Sequence, residues 1–159
     1  MTRALVFTLG PYRLMAGAAR VREVLGRGGA APVRGGGHLC WRGRLVPEIG
    51  LASLLGLEPA GPAAVDIIYG DDDEGDGGAE ALVAFAVDRV LGLRTPEVGC
   101  LQSLPAQVPE LARLFSRIFL DPADGRGILW LDARPRVMLG LWRDHGQTVS
   151  ECAGPRPSS

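Results

Sequence analysis

The sequence contains no lysine: all 17 of its basic residues are arginine, set against 18 Asp and Glu, for a formal net charge of −1 at pH 7. That balance removes the electrostatic case for a nucleic-acid partner, which needs a cationic footprint. Long hydrophobic runs are missing too. Nowhere do about 18 apolar residues follow one another, so no membrane insertion is expected. The opening Ala4–Leu9 stretch is too short for the hydrophobic region of a signal peptide. Cysteine is scarce and scattered, at Cys40, Cys100 and Cys152. A sparse, odd count suits a reducing cytoplasm rather than a disulfide framework. Arrays that carry catalysis are also lacking. Gly35-Gly36-Gly37 precedes a strand pattern and not a helix, no Gly-x-Ser-x-Gly occurs, and neither histidine pairs recognisably with a nucleophile. The expectation is a protein that is not an enzyme, has no catalytic residues and needs no cofactor.

What is present is a chain of 159 residues, 47% hydrophobic and 22% charged: one ordinary domain, or two very small ones sharing a core. Ala4–Leu9 reads as a strand closed by the turn dipeptide Gly10-Pro11, with Tyr12–Met15 returning. Ala18–Leu25 places Val21, Val24 and Leu25 at helical spacing, which predicts a short amphipathic turn with Glu23 exposed on its polar side. His38–Trp41, Arg42-Gly43 and Arg44–Val46 read as strand, tight turn and strand. Leu51–Leu55 is a short helix stopped by Gly56. Val65–Tyr69, Ala81–Val87 and Val90–Leu93 are further strands, and Ile118–Leu120 with Ile128–Asp132 makes a second clear hairpin. Short helices are expected at Pro109–Phe115 and Pro135–Leu141. The acidic, glycine-rich residues 70–80 are expected to be a mobile loop, and 143–159 a disordered tail. Many short strands at close spacing predict a mainly β protein built as a small barrel or sandwich. One barrel of about 60 residues is marginal alone, so two packed on a common apolar seam would account for the length. Val6, Leu45, Ile67, Val83, Phe85 and Leu129 are the expected core, and no convincing internal repeat is visible.

In their order these segments resemble the CheW coupling domains of bacterial chemosensory arrays. ALVFTLG at Ala4–Gly10 and RVREVL at Arg20–Leu25 resemble the family's opening strand pair and its Val-x-Glu-(Val/Ile) segment. GHLCWRGRLVP at Gly37–Pro47 matches its Gly-x-x-Asn-x-Arg-Gly-x-x-x-Pro hairpin except at Cys40. Leu51 and Leu54-Leu55-Gly56, VAFAVDRV at Val83–Val90, and Ile128–Asp132 match in turn, so the likeness runs from Ala4 to Leu141. The resemblance implies an all-β fold of two intertwined five-stranded SH3-like barrels with a few short helices, as one domain over 3–142. It also implies an adaptor that binds a chemoreceptor's cytoplasmic tip and the regulatory domain of a CheA-type histidine kinase, in the cytoplasm at membrane-associated receptor arrays.

Carried onto matching positions, the candidate partner-binding residues are Val21, Glu23, Gly37, Arg42, Gly43 and Val46. Arg42, at a hairpin tip, has a fork able to grip a partner's carboxylate or carbonyls; the alternatives are a solvated turn arginine or a brace to Glu23. Val21 and Val46 are either core or part of an apolar patch that receives a helix. Three departures from the family pattern bear on kinase coupling: Cys40 replaces an amide, Gly50 stands where an Asp caps the short helix, and the loop before Gly37 is shortened. A diverged member that binds receptors but couples weakly to kinase is therefore the alternative, and a small enzyme or metal-binding module on a β fold, disfavoured by the missing constellations, is the remote one. His38 and Cys40 share a strand face, but His145, Cys100 and Cys152 stand at no zinc-ligand spacing. The acidic run from Asp71 lacks a calcium loop's closing Glu, since position twelve counted from Asp72 is Val83. No metal is expected.

Overall fold

The structure, a computed structural model, describes residues 3–26, 34–35, 37–58, 65–71, 81–104 and 109–152. Strands β1 (Ala4–Leu9) and β2 (Tyr12–Gly17) are followed by a 3-10 turn (Ala18–Arg20) and by β3 (Val21–Gly26), β4 (Arg34–Gly35), β5 (His38–Trp41) and β6 (Arg44–Ile49). Helix α1 (Leu51–Leu54) leads to β7 (Val65–Gly70), β8 (Leu82–Val87) and β9 (Arg89–Arg94). A second 3-10 turn (Val98–Cys100), β10 (Leu101–Ser103), α2 (Pro109–Leu114), β11 (Phe115–Leu120), β12 (Gly127–Leu131) and α3 (Pro135–Cys152) complete the order. Two curled sheets result, each an SH3-like barrel. Barrel A has the order β10-β11-β12-β2-β1-β9, barrel B the order β3-β7-β8-β6-β5-β4. The chain starts in A, builds all of B, and returns to finish A, which is the intertwining expected. Each sheet has six strands and not five, because the short β4 and β10 each add one at an edge.

The two sheets share one plan. Read from β9, barrel A runs β9-β1-β2-β12-β11-β10, and each step matches barrel B in sense: antiparallel, antiparallel, then one parallel pair (β2–β12, β6–β8), then antiparallel twice. One bulge of each sheet also corresponds, while a further one at Ser116 in β11 has no counterpart in β5–β6. Arg22 is the extra residue of β3 opposite Tyr69 and Ile68, and Leu91 the extra residue of β9 opposite Phe7 and Val6.

Strands β1, β7 and β8 are buried on both faces, which explains why their sequences are rich in successive apolar residues rather than strictly alternating. From β1, Leu5, Phe7 and Leu9 enter a core shared by the barrels, while Ala4 and Val6 fill barrel A. From β7, Ile67 and Tyr69 enter the shared core and Ile68 fills barrel B; β8 divides Val83, Phe85 and Val87 from Leu82 and Ala84 in the same way. The Phe85 ring stands 5.8 Å from both Phe7 and Tyr69, joining the sheets. Such aromatic pairs add about 0.5–1.5 kcal/mol each beyond their buried area. Arg20 crosses the same seam: its Nη1 donates to the Tyr69 hydroxyl and to the carbonyls of Asp132 and Ala133, and Tyr69 itself donates to Ala133 O at 2.8 Å.

Several expectations are corrected. Val21–Leu25 is a strand, not a helix: the bulge at Arg22 breaks the two-residue alternation and leaves apolar residues at helix-like spacing. Val21 packs on the shared core and Leu25 on that of barrel B, while Val24 is exposed. Leu45 is 74% exposed, since the hairpin register pairs it with Cys40 on the outer face. Val6, Ile67, Val83 and Phe85 are buried, and Leu129 is half-buried. Helix α3 continues past Leu141 to Cys152, anchored by buried Met138 and by Leu139, Leu141 and Trp142 against the shared core. Of the loop and tail, residues 72–80 and 153–159 lie outside the described residues.

Candidate partner-binding site

The hairpin β5–β6 closes through the two-residue turn Arg42-Gly43, with φ of +50° and +76°. This is the turn whose twist suits a hairpin, usually made by Asn-Gly or Asp-Gly. Arg42 is the one non-glycine residue at positive φ among the described residues. A side chain there costs roughly 1–2 kcal/mol, so its presence needs a reason. Trp41, before it, is 9% exposed and packs in barrel B with Leu39, Val46 and Ile68. The Trp41 Nε1–H donates to Glu23 Oε2 at 3.1 Å, and Arg42 Nη2 donates to Glu23 Oε1 at 3.0 Å. The Arg42 guanidinium carbon lies 4.8 Å from the Trp41 ring centroid, within range of a cation–π contact. Glu23 comes from β3, so the cluster ties the hairpin tip to the barrel's first strand. The Arg42 side chain remains 68% exposed, that of Glu23 34%.

Of the six residues singled out in the sequence, the structure brings Glu23, Arg42 and Gly43 together. Arg42 does brace Glu23, while leaving much of itself to solvent. Val46 is 1% exposed and belongs to the core, so it forms no surface patch. Val21 is half-buried against the shared core. Gly37 is exposed at φ +79°, its carbonyl accepting from Glu48 N–H at 2.9 Å. Cys40 faces outward beside Leu45.

Sequence reasoning missed Trp41, whose position before a tight turn gave no hint that its N–H reaches β3. It also missed Leu91 and Leu93, 46% and 57% exposed on the terminal strand β9; a period-two reading of Arg89–Arg94 would have put both on the outer face. Gly50 has a structural cause: a Cβ there would stand 2.9 Å from Trp142 Cη2, so docking of α3 needs a residue without a side chain. Gly50 makes no side-chain cap to α1.

Barrel A has a corresponding tie of opposite charge. Asp121, just after β11 much as Trp41 closes β5, accepts from Arg94 of β9 at 2.6 and 2.8 Å and from Ala123 N–H at 2.9 Å. Arg13 stands 3.5 Å from it and pairs with Asp124 at 3.0 Å. The Arg94 hydrogen bonds, aided by the Ala123 amide, hold the Asp121 carboxyl down to about 2, and Arg94 is raised in turn. Among the described residues, no three His, Cys, Asp or Glu side chains converge on a metal position, and no helix is long and apolar enough to cross a membrane.

The arrangement is a double barrel with an exposed, internally braced arginine at one hairpin tip. The family model described as the CheW-like domain matches residues 3–135, and the chain belongs to that family. Among solved structures it is similar to the scaffolding protein TtCheW from Thermoanaerobacter tengcongensis, with a TM-score of 0.64 and 17% identity over 84% of this chain and 90% of that one. No curated protein matches the sequence.

Proposed function

We propose that this protein is a chemotaxis adaptor, coupling a chemoreceptor's cytoplasmic tip to the regulatory domain of a CheA-type histidine kinase by protein–protein contact and not by catalysis. The observation that carries the reading is the CheW-like match over residues 3–135. The exposed Arg42 at a hairpin tip and the apolar Leu91–Leu93 strip supply surfaces of the kind adaptors use. It would work in the cytoplasm, at membrane-associated receptor arrays. A second reading is a diverged member that keeps receptor binding and couples weakly to kinase. Gly50, fitted to Trp142 and without a cap for α1, and the outward thiol of Cys40 favour it.

The test is Arg42→Ala, measured for affinity toward a receptor-tip fragment and a kinase regulatory domain side by side. Stability should change by no more than about 1 kcal/mol, as for an exposed ion pair. Affinity for at least one partner should fall by about thirtyfold, the loss of a central arginine contact. Receptor binding with no measurable kinase binding in the parent protein would establish the second reading. Failure of the parent protein to bind either partner would refute both.

A further inference from the structure

We propose that Trp41 is the positioning residue of this site: its indole holds Glu23 and carries the Arg42 guanidinium, so that Arg42 presents its free N–H groups in one orientation to a partner segment bearing Asp or Glu. The partner half of this rests on the adaptor reading; the positioning half is a property of the free protein and is measured without a partner.

Four observations carry the inference. Trp41 is an anchored platform, 9% exposed and packed in the barrel B core with Leu39, Val46 and Ile68. Both members of the charge pair touch it, Glu23 Oε2 at 3.1 Å from Nε1 and the Arg42 guanidinium carbon 4.8 Å from the ring centroid. The other Glu23 oxygen accepts from Arg42 Nη2 at 3.0 Å, closing a three-residue ring of contacts. Finally, Arg42 is kept at φ +50°, where glycine would sit without strain.

An arginine that is 68% exposed at a turn ordinarily samples many rotamers, and a partner must order it on binding. Here the ordering is done beforehand, which raises affinity without adding a contact. Among the described residues, Glu23 occupies Nη2 alone of the groups that carry the five N–H donors of a guanidinium, leaving donors for a second carboxylate. An aliphatic side chain at position 41 could supply neither the N–H nor the ring face. The site therefore favours an acidic partner segment.

Two variants separate the contributions: Trp41→Phe keeps a ring and removes the N–H donor, and Glu23→Gln leaves the barrel core untouched. The first readout is the Arg42 Nε–H signal in NMR, assigned by its loss in Arg42→Lys. We expect its relaxation to report an ordered side chain in the parent and a mobile one in both variants, since Nη2 is held by Glu23 while Nε–H stays open to solvent. The second is affinity for a receptor-tip fragment and a kinase regulatory domain, expected to fall about threefold to tenfold in Trp41→Phe for whichever partner Arg42→Ala weakens. An Arg42 signal equally ordered in the parent and both variants overturns the positioning role, as does one already mobile in the parent. If Arg42→Ala leaves both affinities unchanged, Arg42 is not a partner contact. The partner half then falls, and the NMR result still decides the positioning half.

Discussion

At the scale of single residues, Arg42 and Asp121 show how one side chain's geometry fixes a measurable quantity. Arg42 sits at φ +50°, and alanine there retains the backbone strain that glycine relieves. Arg42→Gly should therefore be more stable than Arg42→Ala by about 1 kcal/mol, read as the difference between their denaturation midpoints at equal m-value. Equal stabilities would mean the turn relaxes when the side chain is removed. Asp121 gives a pH dependence of known sign. Its carboxyl is held to about 2 in the folded protein against an ordinary 3.8, so the charged form stabilises the fold. That contribution is complete above about pH 4 and is lost as the pH falls through 2. Asp121→Asn should melt lower than the parent at pH 7, and its melting temperature should fall less between pH 4 and 2. Parallel curves would show that the Arg94 pair does not persist in solution. The Asp121 pair does not follow from spacing: Arg94 and Asp121 stand 27 residues apart, and only the pairing of β9 with β1 and of β12 with β2 brings them together.

At the scale of elements, what the sequence disclosed was local and what it concealed was pairing. The hairpins β1–β2, β5–β6 and β11–β12 were legible because Gly10-Pro11, Arg42-Gly43 and Asp121–Gly127 announce their turns within the segment itself. β3 was not: its bulge at Arg22 copies helical spacing, and its partners in β7 lie 39 to 48 residues away. Leu45 could have been placed correctly. A two-residue turn sets Trp41 opposite Arg44, and if Leu39 and Trp41 point inward then Val46 does too and Leu45 points out. In the site, the pair of Glu23 and Arg42 was foreseen as one alternative, but the indole that joins them was invisible. Helix α3 outran its expected end because its hold on the barrels is tertiary, through Met138 and Trp142. That hold is testable at Gly50, whose φ of −89° any residue adopts. Gly50→Ala should cost about 1–3 kcal/mol by overpacking against the indole. Adding Trp142→Leu should recover part of that loss, a non-additivity read in a double-mutant cycle. A neutral Gly50→Ala would show α3 free to shift.

At the scale of the whole molecule, the core shared by the barrels should make them unfold as one cooperative body. Trp41 reports on barrel B, Trp130 on barrel A and Trp142 on the seam. Three variants, each keeping one of these tryptophans, should give coincident urea transitions after correction for their stabilities. A barrel A transition preceding the barrel B transition would mean that the seam does not couple them. The common plan of the sheets was unreadable as a repeat, because the β1–β2 hairpin that completes barrel A lies at the other end of the chain from β10, β11 and β12. This separation has a consequence on the ribosome. Barrel B is encoded without interruption from β3 to β8, so it can close as soon as β8 emerges. The β1–β2 hairpin emerges first and waits for its partner β12, for on the order of ten seconds at a usual rate of synthesis. Throughout that interval Val6, Met15 and the other residues destined for the interior of barrel A lack the neighbours that will cover them. The first strands made are the last to be enclosed, and the nascent chain must keep them from other strand edges until its own final hairpin arrives.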